Sequence, residues 1–379
     1  MPDVYRRIGV IGAGVMGRGI AQVFAQAGAE VVLVDQSKSA LVDAMDSLQA
    51  ILGRAVAKGR VSEAAAAATL ARIHPVDDLA VLAGHELIIE AIVEDLAVKA
   101  RVLNEVARHA PLAVLATNTS SLQISDIAAE LDVPNPLIGM HFFNPAPVMK
   151  LVEVIFLPAT PAAVRARAFE TLQKAGKHPV VCADTPGFIV NRCARPFYGE
   201  ALAILEENTH SAAEIDAAMT RAGYRIGPFA LIDLIGADVH LAATQGVAQG
   251  FNNHPRYHVF DALKDNVSAG RLGRKSGAGF VTPAEEVMAP ADADRIVERI
   301  EVMLVNEAVT LWNNSDISHG DIDTALMLGL NFPRGPFAMA AAIGVATVRA
   351  RLARLRELAP DAMKPRYDPA PGLDELEAT

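Results

Sequence analysis

Residues 7–28 have the sequence RIGVIGAGVMGRGIAQVFAQAG, in which three spaced glycines lie between an apolar run and a helical segment. Gly12 permits a tight turn, Gly14 lets the backbone approach a pyrophosphate, and Gly17 lets the helix pack closely on the strand. The helix that begins here directs its free N–H groups toward the anion. A strand, this glycine spacing and a helix in succession predict a dinucleotide-binding site.

The next apolar run, EVVLVD (residues 30–35), ends at Asp35. A carboxylate at this point accepts hydrogen bonds from a ribose diol and repels a 2′-phosphate. No basic residue follows in DQS (residues 35–37), so we expect NAD rather than NADP as the cofactor. A second interpretation is that Asp35 caps the turn that follows the strand.

The first half of the chain alternates β-branched runs with longer helical segments, which is typical of a doubly wound, Rossmann-like α/β domain. The runs are RIGVIG, EVVLVD, ELIIEAI, LAVLATN and PLIGMHF, and we expect LVEVI and HPVVCAD to extend the sheet. The strand pattern ends at the turn ADTPG (residues 183–187), and the sequence beyond it is mostly helical. We therefore predict an NAD-binding domain over residues 1–185, followed by a mainly α-helical region.

The helical region contains an internal repeat. Residues 199–219 align without gaps on residues 306–326, and after one inserted residue GPFALIDLIG aligns on GPFAMAAAIG. Because a turn and the helix after it recur together, we predict two repeated helical domains. The first helical copy covers residues 186–284 and the second helical copy covers residues 285–379.

Differences between the copies suggest different roles. The second helical copy has Glu298 at the position of Asn191 and Ala341 at the position of Asp233, so we expect it to be structural.

The sequence also predicts the conformation of two segments within the second helical copy. The nearly apolar residues 335–348 are expected to form a buried helix, and MKPRYDPAPG near the C-terminus is too rich in proline for a helix and is expected to lie extended over the surface.

Composition excludes several classes of protein. The 379 residues include 34 Lys and Arg against 44 Asp and Glu, a net charge of −10, so a broad electrostatic surface for nucleic acid or anionic membrane is not expected. The apolar run 335–348 is too short to span a bilayer, and the N-terminus lacks a signal-peptide pattern, so we expect a cytoplasmic protein.

The sequence predicts neither a disulfide framework nor a metal site. Cys182 and Cys193 are the only cysteines, and they do not form a CxxC or Cys/His cluster. The segment HPRYH (residues 254–258) lacks the Glu of a zinc helix.

Polar residues follow two neighbouring strands of the predicted sheet. TNTSSLQIS (residues 117–125) contains Ser120, and GMHFFNPAPVMKLVEVI (residues 139–155) contains His141, Asn144 and Glu153. The carboxyl ends of parallel strands meet at one edge of a sheet, where ligands bind. His141 alone is equally consistent with a histidine satisfied in the core. Glu153, however, lies in an apolar strand, where a buried carboxylate needs a partner, and His141 would supply one.

Several segments together resemble the L-3-hydroxyacyl-CoA dehydrogenase family. They are GAGVMGRGIA, AIVEDLAVK, NTSSLQIS, HFFNPAPVMKLVEV, DTPGFIVNR, the GPF turn and GRKSGAGF, and they extend over nearly the whole chain. The second helical copy and the proline-rich tail resemble the dehydrogenase half of the fatty acid oxidation complex α-subunit, without its hydratase half. The resemblance implies NAD-dependent, reversible oxidation of (S)-3-hydroxyacyl-CoA to 3-ketoacyl-CoA, a step of the β-oxidation type.

The resemblance also implies roles for individual residues. His141 would be the base and Glu153 its partner, with Ser120 and Asn191 bonding the substrate oxygen or cofactor and Asn144 facing the nicotinamide. Contacts with NAD are implied for Gly12, Gly14, Met16, Gly17, Asp35, Val93, Glu94, Lys99, Ser120, Asn144 and Lys275. Contacts with the CoA substrate are implied for Lys58, Arg60, Ser120 and Asn191.

The sequence is also consistent with other interpretations. Without the resemblance, Glu94 and Lys99 are equally consistent with a solvated helix start and helix face. The chain departs from the family at Ile51, where relatives have a serine that touches CoA, and at Leu328, where the α-subunit has a tyrosine. Relatives also act on hydroxyadipyl-CoA and other dicarboxylyl-CoA esters, carnitine or a sugar acid, and a lens crystallin of this family has a non-catalytic role. The sequence leaves acyl length and oligomeric state open, although the second helical copy would fill the place that a partner subunit takes in single-copy relatives.

Overall fold

The computed structural model describes residues 4–284 and 287–377. The chain divides into two compact units, Met1–Asp184 and Thr185–Thr379, and each is treated separately below. The division between the units lies inside the predicted turn at residues 183–187. The further division into two helical domains stays a prediction, and Glu285, its predicted boundary residue, lies outside the described residues.

An eight-stranded sheet forms the centre of the first unit, in the strand order β3-β2-β1-β4-β5-β6-β7-β8. All neighbouring pairs are parallel except β6 and β7, which are antiparallel. Nearly every residue of the central strands is buried, as expected for a parallel sheet covered on both faces. The strands are Arg7–Ile11 (β1), Glu30–Val34 (β2), Ile73–Val76 (β3), Leu87–Glu90 (β4), Val114–Thr117 (β5), Leu137–Phe142 (β6), Leu151–Phe156 (β7) and His178–Cys182 (β8).

The helices of the first unit connect these strands in the doubly wound arrangement that the sequence predicts. One edge strand, β3, was not predicted, because its four residues IHPV are few and include a proline. The helices are Val15–Gln26 (α1), Lys38–Ala57 (α2), Glu63–Ala71 (α3), Leu96–His109 (α4), Ile124–Ala129 (α5) and Ala162–Lys174 (α6), with a 3₁₀ turn at Leu79–Leu82.

The second unit is helical in the residues that the structure describes. Its helices are Val190–Cys193 (α7), Arg195–Glu206 (α8), Ala212–Arg221 (α9), Pro228–Ile235 (α10), Ala237–Gly250 (α11), Asp261–Ser268 (α12), Ala293–Asn313 (α13), His319–Leu330 (α14), Pro336–Ile343 (α15) and Val345–Leu358 (α16). Short 3₁₀ turns lie at Pro255–Tyr257, Asp361–Tyr367, Pro371–Leu373 and Glu375–Glu377.

The sequence repeat corresponds to a repeat of hydrogen bonds. Asp216 accepts the N–H groups of the second and third residues of α10 at 2.9 and 2.7 Å, and Asp323 accepts the equivalent groups of α15 at 2.8 and 3.0 Å. A side chain at Gly227 or Gly335 would collide with these carboxylates, because an added Cβ would lie 2.3 and 2.2 Å from them. The GPF turn therefore recurs because the same aspartate holds the same helix start in both copies.

Residues 335–348 do not form the single buried helix that was predicted. The run is divided between α15 and α16, which meet at Gly344 with a bend of 95°. Gly344 has a φ of +85°, a left-handed conformation that ends a helix and that glycine adopts without strain. None of the described helices is by itself long and apolar enough to cross a membrane, although α15 and α16 together meet that test of length and composition.

The proline-rich tail also differs from its prediction. Residues 361–367 and 371–373 form 3₁₀ turns rather than an extended surface strand. Arg366 is only 1% exposed, and its guanidinium donates to Glu200 at 2.7 Å. Proline is compatible with short 3₁₀ turns, and the sequence gives no local sign that an arginine in such a tail will be buried by a distant carboxylate.

Candidate active site

The glycine loop between β1 and α1 has the geometry of a phosphate cradle. Gly12 has a φ of +101°, and a Cβ there would lie 2.5 Å from the Ala91 carbonyl oxygen. A Cβ at Gly17 would lie 1.7 Å from the Gly12 carbonyl oxygen, whereas at Gly14 it would meet nothing within 4 Å. Gly12 and Gly17 are thus required by packing, and Gly14 leaves open space at the start of α1. These residues fit a bound pyrophosphate.

Asp35 connects the end of β2 to this loop. Its Oδ2 accepts the Ala13 N–H at 2.8 Å, and its Oδ1 accepts the Ser37 N–H at 2.9 Å. The carboxylate therefore caps its own turn and also holds the glycine loop, and each oxygen keeps a second lone pair for a ribose hydroxyl. The two interpretations of Asp35 from the sequence are compatible.

Two apolar side chains of the predicted cofactor site differ in exposure. Met16 is half-buried and packs against the core of the first unit, whereas Val93 is 64% exposed just beyond the end of β4. An exposed valine beside the carboxyl ends of the strands offers apolar surface for a flat ring. Their contact with a cofactor stays a prediction.

His141 and Glu153 form a buried pair on adjacent strands. The β6–β7 register places the two residues opposite each other, and His141 Nδ1 lies 2.6 Å from Glu153 Oε2. Glu153 has no exposed surface and His141 is 6% exposed. Such a pair holds the imidazole in one orientation, with Nδ1 as the donor and the basic lone pair on Nε2.

The segment after β6 carries Asn144 and is held in two ways. Asn118, after β5, accepts the Phe142 N–H at 2.8 Å and so fixes the end of β6. Farther along, a Cβ at Gly19 of α1 would lie 3.2 Å from Ala146, so this glycine lets the segment approach the cofactor helix. Asn144 itself is exposed between these two attachments. The first unit therefore positions Asn144 near the helix of the glycine loop.

Glu94 organises the loop that contains Ser120. Its Oε1 accepts the N–H and hydroxyl of Ser120 at 2.9 and 3.4 Å, those of Ser121 at 3.1 and 2.9 Å, and the Thr119 hydroxyl at 2.6 Å. Burial alone would raise the pKa of Glu94, but the charge of Lys99 and these hydrogen bonds outweigh burial and lower it to about 2. The carboxylate is therefore ionised at every physiological pH and holds the loop as an acceptor.

Lys99 is not on a solvated helix face, and that interpretation is wrong. It is 1% exposed, and its ammonium lies 2.7 Å from Glu90 and 3.2 Å from Glu94. Glu90 is fully buried and also accepts the Thr117 hydroxyl and the Ile92 N–H, each at 2.7 Å. Glu90 and Thr117 were missed by the sequence analysis. The signal was present, because Glu90 is a carboxylate within the apolar run ELIIEAI, as Glu153 is within LVEVI.

Lys58 and Arg60 lie at the exposed turn between α2 and α3. Lys58 is the C-cap residue of α2, and Gly59, between Lys58 and Arg60, has a φ of +66°. Both side chains are exposed, so this turn presents two cations to solvent. Their contact with CoA stays a prediction.

Asn191 and Lys275 belong to the second unit. Asn191 lies in the single turn of α7, and its carbonyl accepts from Arg195 Nε at 2.7 Å. Lys275 is ion-paired with Asp238 at 2.5 Å. The loop GRKSGAGF is held by Asp233, which accepts the N–H groups of Phe280 and Val281 at 2.9 Å each. The equivalent residue of the second helical copy, Ala341, has no carboxylate to hold such a loop.

Two further features considered from the sequence are the pair of cysteines and the HPRYH segment. Cys182 and Cys193 are both buried. Pro255–Tyr257 form a 3₁₀ turn rather than part of an α-helix, and His254 accepts the Arg256 N–H through Nδ1 at 3.2 Å. Within residues 4–284 and 287–377, no group of three or more His, Cys, Asp or Glu side chains is arranged to hold a metal ion.

Comparison with known proteins gives matches over most of the chain. Residues 7–185 match the family model described as "3-hydroxyacyl-CoA dehydrogenase, NAD binding domain". Residues 187–283 and again 296–377 match the family model described as "3-hydroxyacyl-CoA dehydrogenase, C-terminal domain".

Individual relatives extend this similarity. A 3-hydroxyadipyl-CoA dehydrogenase of Escherichia coli K12 is 35% identical over 430 aligned positions, covering 89% of this chain and 90% of that protein. The human mitochondrial hydroxyacyl-coenzyme A dehydrogenase is 40% identical over 290 aligned positions, covering 73% of this chain and 91% of that protein. A crystal structure of 3-hydroxybutyryl-CoA dehydrogenase from E. coli K12 superposes with a TM-score of 0.91 at 34% identity and covers 98% of both chains.

Proposed function

Because the chain belongs to the 3-hydroxyacyl-CoA dehydrogenase family, whose members are NAD-dependent oxidoreductases, we propose that it oxidises the 3-hydroxyl group of an (S)-3-hydroxyacyl-CoA to a ketone. The predicted family, fold class and cofactor are confirmed. The substrate and the roles of individual residues stay proposals.

The observation that carries the proposal is the buried contact between His141 and Glu153. An imidazole that receives a proton becomes cationic, and a carboxylate 2.6 Å from its Nδ1 stabilises that charge. Burial strengthens the interaction, because little water screens it. A core histidine that served only packing would not require an ionisable partner with no exposed surface.

In the proposed reaction His141 Nε2 takes the proton of the 3-hydroxyl group. The chemistry that bound NAD would supply is acceptance of a hydride from C3, the carbon that bears this hydroxyl, so that loss of the proton and the hydride would leave a ketone. Ser120 and Asn191 donate hydrogen bonds to the substrate oxygen, and Asn144 orients the nicotinamide side of the site. In the reverse direction protonated His141 returns the proton to the oxygen.

The glycine loop and Asp35 would hold the pyrophosphate and the ribose of NAD, with Met16 and Val93 against its apolar surface. Glu94 supports this site by fixing the Ser120 loop. Lys99 would contribute through Glu94, because its ammonium lies between two carboxylates inside the first unit. The family resemblance implies a further contact with NAD at Lys275, whose ammonium is ion-paired with Asp238.

The exposed turn of Lys58 and Arg60 would bind the 3′-phosphate end of CoA. A direct test compares Lys58→Ala on a CoA thioester and on the N-acetylcysteamine thioester of the same acid, which lacks the nucleotide. We expect KM to rise for the CoA ester alone, because only that substrate carries the phosphates. An equal change for both thioesters would place Lys58 outside the CoA site.

The experiment that tests the function is initial-rate kinetics in both directions, with 3-hydroxyacyl-CoA esters from C4 to C16, 3-hydroxyadipyl-CoA and carnitine. Saturable NADH formation with CoA esters, abolished by His141→Gln, is the expected result. A preference for 3-hydroxyadipyl-CoA would identify a dicarboxylyl substrate, and activity with carnitine alone would overturn the CoA proposal. Absence of NADH formation with every ester would favour a non-catalytic role.

A further inference from the structure

Two buried glutamates link the helical copies in a reciprocal way. Glu200 of α8 and Glu307 of α13 occupy equivalent positions of the repeat, and neither has exposed surface. Glu307 accepts Arg192 Nε at 2.6 Å, and Glu200 accepts Arg299 Nε at 2.9 Å. Arg192 and Arg299 are themselves equivalent in the repeat. Each copy thus sends an arginine to the glutamate of the other.

The sequence PRY occurs in both copies and supplies the remaining partners of each glutamate. In the first copy, Tyr257 donates to Glu307 at 2.7 Å, with Arg256 3.4 Å from the same carboxylate. In the second copy, Tyr367 donates to Glu200 at 3.3 Å, with Arg366 at 2.7 Å. Each glutamate is therefore enclosed by two arginines and a tyrosine. This arrangement explains why the predicted surface tail is buried at Arg366.

The two arginine–glutamate pairs differ in the residue that precedes the arginine. Arg192 directly follows Asn191, whereas Arg299 directly follows Glu298, which is ion-paired with Arg351 at 2.7 Å. Asn191 lies in α7, which has only four residues and so little helical stability of its own. Its position depends on tertiary contacts. The Arg192–Glu307 pair is such a contact, at the residue next to the amide.

The surroundings of Arg192 make this contact specific. Its guanidinium carbon lies 4.7 Å from the centre of the Phe251 ring, in cation–π geometry, while Nε points to Glu307. Burial alone would lower the pKa of Arg192, but the charge of Glu307 more than compensates and raises it. The guanidinium therefore contacts both an aromatic ring and a carboxylate, and the two contacts together restrict its orientation.

We propose that Glu307 of the second helical copy is a positioning residue for the dehydrogenase reaction, because it fixes Arg192 and thereby the amide of Asn191. This inference rests on the role of Asn191 in the proposed function. The second copy has no counterpart of the polar residues Asn191 and Asp233. Through Glu307 it would nevertheless contribute to catalysis without touching the substrate. Glu200 makes the equivalent pair with Arg299, which follows Glu298 rather than an asparagine. Glu200 is therefore a matched internal control for Glu307.

The test compares Glu307→Gln with Glu200→Gln in the full chain. Both changes remove one buried charge from equivalent sites, so we expect similar falls in the thermal midpoint. Only Glu307→Gln should lower kcat/KM for the acyl-CoA, by about 10-fold or more, since small displacements of a positioning group cost up to about 100-fold. The KM for NAD should stay unchanged, and Glu200→Gln should retain kcat/KM within about twofold.

A double-mutant cycle separates positioning from general destabilisation. If Glu307 acts through Asn191, Glu307→Gln should have no further effect on kcat/KM once Asn191 is Ala. If either glutamine variant fails to fold, Tyr257→Phe and Tyr367→Phe provide the same comparison by removing one hydroxyl from each site.

The outcomes distinguish the two proposals. Full activity of Asn191→Ala would refute the role of Asn191 itself. Loss of activity in Asn191→Ala together with parental kcat/KM in Glu307→Gln would refute only the positioning role. Equal losses in the Glu307 and Glu200 variants, or additive effects in the cycle, would also overturn it.

Discussion

His141 and Glu153 are direct cross-strand neighbours in the one antiparallel pair of the described sheet, and the 2.6 Å contact between their side chains follows from that register. In an antiparallel pair, residues opposite each other project to the same face of the sheet. A shift of one residue would send Glu153 to the other face and leave a buried carboxylate without the imidazole. The strand register therefore determines whether the pair exists.

Replacement of His141 by Gln should remove turnover while leaving NADH binding largely intact. The imidazole is the proposed base, whereas the cofactor is held by the glycine loop. We expect a loss of roughly 100- to 10,000-fold in kcat, the usual contribution of a general base. Steady-state kinetics and NADH fluorescence titration measure the two effects. Activity within about tenfold of the parent would show that another group takes the proton.

Replacement of Glu153 by Gln should lower kcat less than the loss of His141. It should also move the acidic limb of the pH–rate profile to lower pH, because the carboxylate no longer stabilises the imidazolium form. The measurement is kcat/KM between pH 5 and 9 for parent and variant. A profile of unchanged shape would separate Glu153 from the chemistry even if the rate fell.

Replacement of Asp35 by Ala should weaken NAD more than NADP. The ribose loses its acceptor, and the repulsion between the carboxylate and a 2′-phosphate disappears. The ratio of kcat/KM values for the two cofactors measures the effect. The Ala13 and Ser37 N–H groups also lose an acceptor, so the thermal midpoint should be recorded alongside. Equal losses for both cofactors would refute the ribose assignment.

Glu94 should stabilise the fold in a pH-dependent way. Its pKa falls from 4.5 to about 2 on folding, so its contribution is fully present above pH 4.5 and is lost as pH falls toward 2. The difference in free energy of unfolding between parent and Glu94→Gln should therefore shrink from pH 7 to about pH 3. Denaturant titrations measure it, with Glu105→Gln, an exposed site on α4, as the control. A difference independent of pH would contradict the assignment.

The fragment Met1–Ala284 should aggregate or form dimers. Without the second helical copy, Arg192 and Tyr257 lose Glu307 as their hydrogen-bond acceptor. The fully buried Glu200 loses its two arginine partners, Arg299 and Arg366. The apolar face of the first copy would also be exposed. Sedimentation velocity and activity assays test this. A soluble and fully active monomer would refute the structural role of the second copy.

Much of the site was predictable because its signals are local. The glycine spacing and the acid at the end of β2 are separated by few residues, and their roles require only a strand, a turn and a helix in succession. Glu153 was detectable because a carboxylate in an apolar strand requires a partner. The same reasoning applies to Glu90, which was overlooked. It does not apply to Lys99, whose helical position gave no sign that its ammonium lies between two carboxylates.

The partners of the buried charges could not be predicted, because they lie far apart in sequence. Arg366 meets Glu200 across 166 residues, and Arg192 meets Glu307 across 115. Local composition made the first of these look like part of an exposed tail. Nothing within a short window tells whether an arginine will be solvated or enclosed, since that depends on which surfaces pack together.

The sequence by itself determined the doubly wound class of the first unit, the helical character of the second, the glycine loop and the existence of a repeat, because these depend on residue spacing and backbone preference over short distances. Only the tertiary structure decided the register that pairs His141 with Glu153, the carboxylates around Lys99 and the exchange of Arg192 and Arg299 between the copies. The physical reason is that a buried charge must be compensated by whichever group packing brings within hydrogen-bond distance.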